Sequence, residues 1–280
     1  MNVIFCDDEK KYSDCYDFVL SYEKQSCALM EKILHKEKGV YFLQDKSFAI
    51  QGVFSYSELG HGILFCIPQF NFEIIESLKD FFKTKKIFCI TGEASGALEL
   101  KKIIEGIGKF FAKDVRDYFF MEHTGNFLIE KKHQIVLCSK KDLKALKELH
   151  FGYMKEEVLP LWEGLCKSAE LKNLEHILKS QNVFAISNGK SFVAKVQTNA
   201  VTENYFQIGG VYTHPFYRKQ GMARELVSHI AEYGMSLGKK TVLFVKEKNI
   251  PALTAYQKAG FAVTGRNKII YFLPNSTERL

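Results

Sequence analysis

VYTHPFYRKQGMAR, residues 211–224, is a strand that leads through a proline-containing turn into a helix. The first turn of a helix presents unpaired backbone N–H groups and the positive end of the helix dipole, and together these bind a pyrophosphate. Gly221 lets the backbone approach phosphate oxygens without a Cβ clash, and Ala223 keeps the first turn thin. The segment therefore indicates a phosphate cradle, although an ordinary tight connection has the same local pattern. Three basic side chains accompany it: Arg218, Lys219 and Arg224.

A second motif follows at residues 249–261, with the spacing Asn249-x-x-Ala252-x-x-x-Tyr256-x-x-x-Gly260-Phe261. The first motif reads Arg218-x-x-Gly221-x-Ala223. Together they resemble the signature of the GNAT acetyltransferase superfamily, and the similarity covers roughly residues 180 to 272. Two motifs at this separation are far more specific than either one alone.

The resemblance implies a site for acetyl-coenzyme A (acetyl-CoA). By it, three strand residues would pair their backbone groups with the pantetheine arm: Val211, Tyr212 and Thr213. Arg218 and the amides of the turn would hold the pyrophosphate, the turn being Lys219, Gln220, Gly221, Met222, Ala223 and Arg224. By the same resemblance, the Asn249 side chain would form a hydrogen bond to the cofactor arm. The simpler interpretation is that Asn249 caps the following helix, and the two roles are compatible.

For catalysis, the resemblance gives Tyr256 the role of general acid, because the departing sulfur is a thiolate that a nearby phenol can protonate. A packed aromatic is the alternative. The acceptor amine must lose a proton, and Glu203, just before the central strand, is the first candidate base. Other carboxylates and rings stay open as base or pocket residues, with a solvated or structural role as the simpler reading: Glu156, Glu157, Glu163, His214, Phe151, Tyr153 and Trp162.

These features predict an acetyl-CoA-dependent N-acetyltransferase that transfers the acetyl group directly to an amine in a ternary complex. The acceptor is an amine-bearing small molecule, a peptide or a protein, and a longer acyl group remains an alternative. A different class of protein fits as well, a non-catalytic acyl-CoA-binding regulatory module. The motifs describe only the cofactor side, so neither the acceptor nor the oligomeric state follows from them.

The composition describes a globular protein, with 46% hydrophobic and 25% charged residues in 280. The net charge of +7 is spread along the chain without a basic block, so we expect no nucleic-acid partner. Acidic residues 7–9 stand where a secretion signal would need apolar ones, and no apolar run reaches membrane-spanning length. We therefore expect a cytoplasmic protein without a membrane partner. Seven dispersed cysteines without a Cys-x-x-Cys pair predict buried reduced thiols and no metal site.

The order of predicted strands and helices occurs twice, first in residues 9–107 and again from about residue 134. Lys46-Ser47-Phe48 matches Lys190-Ser191-Phe192, and Pro68 follows a central strand as Pro215 does. We predict two domains, a degenerate GNAT-like domain over residues 1–130 and an acetyl-CoA-binding domain over residues 131–280. The predicted fold is α/β (α+β), a mixed central sheet flanked by helices and duplicated in tandem. Asn188-Gly189 predicts a hairpin with a type I′ turn.

Overall fold

The structure is a computed structural model, and it describes residues 1–125 and 132–275. The chain divides into two compact units. The first comprises Met1–Phe119 together with Gly265–Leu280, and the second comprises Phe120–Thr264. The predicted domain boundary between residues 130 and 131 lies outside the described residues. In this division, the last strand contributes most of its length to the first unit.

The first unit is a sheet with helices, and its strands follow the order β1-β2-β3-β4-β5-β12. Pairing between β4 and β5 is parallel, and the other described pairs of this unit are antiparallel. Asp8 begins α1 and Asn71 begins α3, each by accepting a hydrogen bond from a backbone amide of the first turn. Its elements are β1 (Asn2–Phe5), α1 (Glu9–Leu20), α2 (Cys27–Leu34), β2 (Val40–Gln44), β3 (Ile50–Tyr56), β4 (Gly62–Cys66), α3 (Phe72–Phe82), β5 (Cys89–Glu93), α4 (Ala94–Gly106), most of β6 (Phe110–His123) and most of β12 (Phe261–Pro274).

The second unit contains the two sequence motifs, and its strands include the order β11-β10-β9-β8-β7. Here β10 and β11 are parallel, while β7, β8, β9 and β10 pair antiparallel. Four apolar residues that share one face of α7 are at most 1% exposed: Leu226, Val227, Ile230 and Ala231. Its further elements are β7 (Ile135–Leu137), α5 (Leu143–Tyr153), α6 (Lys167–Ser180), β8 (Val183–Ser187), β9 (Phe192–Val201), β10 (Tyr205–Thr213), α7 (Met222–Ser236), β11 (Lys240–Lys246) and α8 (Ile250–Lys258).

The two halves of the chain have the same order of elements. The first runs β1-α1-α2-β2-β3-β4-α3-β5-α4-β6, and the second runs β7-α5-α6-β8-β9-β10-α7-β11-α8-β12. In each half, a helix joins the two strands that pair in parallel, as a parallel connection requires. The Lys-Ser-Phe matches fall at corresponding hairpins, and the two prolines follow corresponding strands. The predicted mixed sheet and tandem duplication are confirmed.

Some local predictions were wrong. The predicted elements included neither β1 nor β6, which lie outside the residues 9–107 assigned to the first set of strands and helices. The Asn188-Gly189 hairpin forms, but its turn is not type I′, because only Gly189 has a positive φ. The Asn188 side chain instead accepts hydrogen bonds from the amides of Lys190 and Ser191, which closes a longer turn.

All seven cysteines are free thiols, as expected, and five of them are buried. Cys89 is half-buried and Cys166 is exposed, so the expectation of burial fails for those two. Burial raises the pKa of Cys66 and of Cys89 to about 11, which keeps both thiols protonated at neutral pH. Within the described residues, no helix is long and apolar enough to cross a membrane.

In the first half, a phenylalanine ring occupies the space beside the parallel strand pair. The described parallel register ends at Leu64 and Thr91, and the ring of the next residue, Phe65, lies against Gly92 and Gly96. A Cβ atom at Gly92 would come within 2.3 Å of that ring, and one at Gly96 within 2.7 Å. The first half is therefore filled by its own side chain where the two strands separate.

Gly92→Ala is expected to destabilise the protein by about 1–3 kcal/mol, because the new methyl group overlaps the buried Phe65 ring. Gly106→Ala is the matched control, since Gly106 ends α4 and a Cβ there meets nothing within 4 Å. That substitution should be neutral or stabilising by about 0.5 kcal/mol. Urea denaturation measures both, and equal effects of the two substitutions would contradict the close packing of Phe65.

Candidate functional site

The strands β10 and β11 separate at the point where the first motif begins. Their described parallel register runs from Tyr205 opposite Lys240 to Ile208 opposite Leu243. On the other side, β10 pairs with β9 through Gly209 and again from Tyr212, with an irregularity between them. Gly210 has a φ of 58°. The segment Gly210–Val211 thus lies outside the described register with both neighbours, so its backbone groups are presented between the strands.

Beyond β10, the chain makes a turn whose backbone conformation leaves a row of amides unpaired. Lys219 has a φ of 64° and Gly221 a φ of 83°, both in the left-handed region. Gly221 is the N-cap of α7 and supplies no side chain to satisfy the first turn. Among the described residues, no protein acceptor takes a hydrogen bond from the amides of residues 219–224. These amides form a concave donor surface suited to an anion.

The basic residues of the turn differ in their surroundings. The Arg218 guanidinium donates 2.7 Å to Glu156 Oε2 and 3.0 Å to the Thr213 carbonyl, and it lies 5.4 Å from the centre of the Tyr212 ring. Arg224 has its Nε atom buried without a partner, and its terminal nitrogen is 4.0 Å from the position of a Cβ on Gly221. Arg218 is thus fixed beside the strand end, and Arg224 has an unused donor close to the N-terminus of α7.

Glu156 joins this cluster from a π-helical turn, Met154–Val158, that follows α5. Its other oxygen accepts 2.6 Å from the Tyr212 hydroxyl. Burial opposes the shift, but the hydrogen bonds from Tyr212 and Arg218 lower the pKa of Glu156. Burial and the bond to Glu156 raise the pKa of Tyr212 to about 12. The carboxylate is therefore charged and the phenol neutral at neutral pH. Single π-helical turns of this kind are common at functional sites.

The second motif places Tyr256 and Asn249 beside the same π-helical turn. Tyr256 is 7% exposed, and burial, together with Tyr153 and Glu157, raises its pKa, so its phenol stays protonated. Asn249 accepts a hydrogen bond from the Ala252 amide at 3.1 Å, which caps α8, and its Nδ2 lies 3.4 Å from Glu157 Oε1. The capping role of Asn249 is confirmed, whereas its bond to the cofactor arm stays a prediction.

The four candidate bases lie in different places. Glu203 stands in the turn before β10, eight residues from Val211, a span of roughly 25 Å in an extended strand. The structure therefore does not bring Glu203 to the other site residues. Glu163 is exposed in the loop after the π-helical turn, and Glu156 is engaged by Arg218 and Tyr212. Glu157 is the carboxylate near Asn249 and Tyr256, paired with Lys246 at 2.9 Å.

Of the other open residues, one caps a turn, two are packed aromatic rings and one has an unpartnered indole nitrogen. His214 accepts a hydrogen bond from the Phe216 amide at 3.4 Å and caps the short turn Pro215–Tyr217. Phe151 is 5% exposed, and Tyr153 packs against a buried cluster of α5, α6 and β8. Trp162 has its indole nitrogen buried without a partner. Among the described residues, no group of three or more His, Cys, Asp or Glu side chains is arranged to hold a metal ion.

Sequence reasoning missed Lys195, on β9 directly opposite Tyr212. Its side chain is fully buried, its Nζ donates 2.8 Å to Gln197 Oε1, and the nitrogen lies 5.0 Å from the centre of the Tyr153 ring. Burial lowers its pKa to about 7. The signal was a lysine inside the apolar run 192–196, a position where a solvated charge has no place.

The sequence was compared with protein families and with known proteins. Residues 145–261 match the sequence profile of the acetyltransferase (GNAT) family. Residues 145–261 are therefore a GNAT domain, and the findings together support a GNAT superfamily member with two GNAT-like halves. The sequence has no significant match among curated proteins.

Several solved structures are similar to this chain over nearly its whole length. A GNAT-family acetyltransferase from Colwellia psychrerythraea has a TM-score of 0.60 at 11% identity, covering 98% of this chain and 100% of its own. A tandem GNAT protein from the clavulanic acid biosynthesis pathway has a TM-score of 0.60 at 9% identity, covering 98% of each chain. A Drosophila protein has a TM-score of 0.68 at 12% identity, covering 98% and 99%. At these identities the similarity establishes the fold, and the family supports acyl transfer as the class of activity.

Lys195→Met is expected to raise the free energy of unfolding at pH 7. The amine has a pKa of 10.5 when solvated and about 7 in the folded protein, so the unfolded chain binds more protons between these values. Wild-type stability therefore rises with pH across this window, and the methionine variant lacks that slope. Urea denaturation from about pH 6 to pH 10 should show the largest gain at or below pH 7. A gain that does not vary with pH would contradict the assignment.

Proposed function

We propose that this GNAT protein is an acetyl-CoA-dependent N-acetyltransferase that transfers acetyl directly to an amine in a ternary complex. The observation that supports it most is the row of unpaired amides at residues 219–224, next to the gap between β10 and β11. A pyrophosphate would accept hydrogen bonds from these amides, and Arg224 adds a nearby donor. The backbone of Val211–Thr213 borders the gap, where an extended pantetheine arm has a strand edge to pair with.

One cofactor per chain follows from the difference between the halves. In the first half, the Asn71 side chain accepts from the Ile74 amide at 2.9 Å, so the start of α3 is already capped. Phe65 fills the space where β4 and β5 separate. In the second half, Gly221 offers no cap, and the corresponding amides remain available. The first half therefore has a capped helix start, and the Phe65 ring lies where a pantetheine arm would need space.

For the chemistry, acetyl-CoA would supply a thioester whose acetyl group passes to the acceptor nitrogen and whose sulfur leaves as a thiolate. Tyr256 is suited to donate its proton to the departing sulfur, because its raised pKa keeps the phenol protonated. Glu157, the carboxylate beside Asn249 and Tyr256 of the second motif, takes the proposed role of proton acceptor for the amine. The Val211 amide is the proposed donor to the oxyanion.

A non-catalytic acyl-CoA-binding regulatory module remains the second candidate. It would use the same amide row but would not need a buried phenol beside a carboxylate. The packing of Tyr256 near Tyr153 and Glu157 favours catalysis. No acceptor follows from these groups beyond an amine, whether on a small molecule, a peptide or a protein.

Gly221→Ala is expected to weaken acetyl-CoA binding about tenfold, because a Cβ disfavours the left-handed backbone that aligns the amides by about 1–2 kcal/mol. Gly238→Ala is the matched control: Gly238 has a φ of 75° after α7, in open space. Both substitutions should lower stability similarly, while only the first alters binding. Calorimetry should give one site per chain for the wild type. Equal effects of the two variants on affinity would count against the cradle.

Tyr256→Phe should retain acetyl-CoA binding but lower kcat on the order of 10²-fold, because the proton donor to sulfur is removed. Thiol release with a panel of amines measures turnover, and calorimetry measures binding. Tyr233→Phe, which removes a hydroxyl from the last turn of α7, is the control and should act as wild type. Wild-type binding without turnover on every amine would support the regulatory module, and a fully active Tyr256→Phe would remove the acid role.

A further inference from the structure

Lys195 is a fully buried lysine, and nothing in the proposed chemistry uses it. Removing an amine from water is unfavourable, and an apolar residue of similar length would fill this position without that penalty. Its described contacts are the hydrogen bond to Gln197 and the ring of Tyr153. Lys195 lies on β9 directly opposite Tyr212, next to the irregular part of β10.

A line of three polar side chains runs along β9 from this lysine. Lys195 Nζ donates 2.8 Å to Gln197 Oε1, and Gln197 Nε2 lies 3.3 Å from Asn199 Oδ1. We call Lys195, Gln197 and Asn199 the β9 ladder. Gln197 is 4% exposed and Asn199 is exposed, so the ladder leads from the core to the surface. The hydrogen bonds fix the orientation of the Gln197 amide group, because its oxygen and nitrogen each have a partner.

The ladder lies directly against the irregular part of β10. A Cβ atom at Gly210 would come within 2.4 Å of the Gln197 side chain, and one at Gly209 within 2.0 Å of Asn199. Two residues of β10, Gly210 and Val211, have no partner on β9. They lie between the pair Gly209–Gln197 and the pair Tyr212–Lys195. The side chains of the ladder therefore cover the bulge from one side and limit where its peptide groups can lie.

The geometry assigns Lys195 a positioning role: through Gln197 it holds the bulge at Gly210 in the conformation that directs the Val211 amide toward the acyl group. This role rests on the proposed acyl transfer. Lys195 itself acts through its neighbours and need not touch the acyl group or the acceptor. In the first half, β3 corresponds to β9, and it contains no buried lysine.

The role makes the bulge sensitive to pH. Burial lowers the pKa of Lys195 to about 7, so its charge changes in the neutral range. Protonated, it makes a charge-assisted bond to Gln197, which is stronger than the bond of the neutral amine. The titratable groups facing it are Cys138, Tyr153 and Tyr212, and Glu156 bonds the last of these. Burial raises the pKa of Cys138 to about 12, and that of Tyr212 is also raised, so neither thiol nor phenol titrates near pH 7.

A double-mutant cycle tests the role with wild type, Lys195→Met, Gln197→Met and the double variant. Each single variant should lower kcat about tenfold, and the double variant should lose no more, because both act through one linkage. Affinity for acetyl-CoA should change less than about twofold, since the amide row is intact. Val196→Ala, a buried change on β9 outside the ladder, should lower stability and leave kcat unchanged.

The pH dependence gives a second readout. The ratio of wild-type to Lys195→Met kcat should be highest below pH 7 and fall above it, since ionisation of the acceptor amine is common to both and cancels. Amide chemical shifts of Gly210 and Val211, recorded without cofactor, should move across pH 7 in the wild type and not in the variant. Unmoved shifts, an additive double variant, or full activity of Lys195→Met would overturn the role. If the wild-type protein neither binds nor turns over acetyl-CoA, the proposed function is wrong. The amide chemical shifts of Gly210 and Val211 would still test whether the β9 ladder holds the bulge.

Discussion

The left-handed backbone at Gly221 is the constraint on which the site depends. It begins α7 without a capping side chain and leaves the amides of residues 219–224 without protein acceptors among the described residues. Such donors are satisfied by water or by a ligand, and the diphosphate of the proposed cofactor would supply acceptors for them. The separation of β10 from β11 depends on the same stretch of chain, because the strand that leaves the sheet register is the one that leads into the turn.

The two halves differ at the places that form the candidate site in the second half. Both halves join two parallel strands through a helix, and both have a proline after the first of them. In the first half, the Asn71 side chain caps the start of α3, and the Phe65 ring packs where β4 and β5 separate. In the second half, two glycines at 209 and 210 make room for the polar side chains of β9, and Gly221 replaces the cap. The difference lies in a few side chains at equivalent places.

The sequence predicted the parts of the site that are local in the chain. The turn at Arg218–Arg224 and the helix from Asn249 to Tyr256 are contiguous motifs, and their backbone conformations follow from glycine, proline and capping residues. The prediction that Glu203 is the base was not supported, because a position before a strand does not indicate which end of that strand lies near the other site residues. Lys195 was missed because its burial depends on β8, β10 and α5, which approach it only in the folded unit. The division of β12 between the units is likewise a matter of long-range pairing.

The most direct measurement of the central claim is a titration of the isotope-labelled wild-type protein with acetyl-CoA, followed by amide chemical shifts. The account predicts that the amides of residues 219–224 shift together and saturate, while those at the start of α3, near Asn71 and Ile74, stay in place. A titration that leaves residues 219–224 unchanged at saturating acetyl-CoA, or that moves the start of α3 instead, would contradict it.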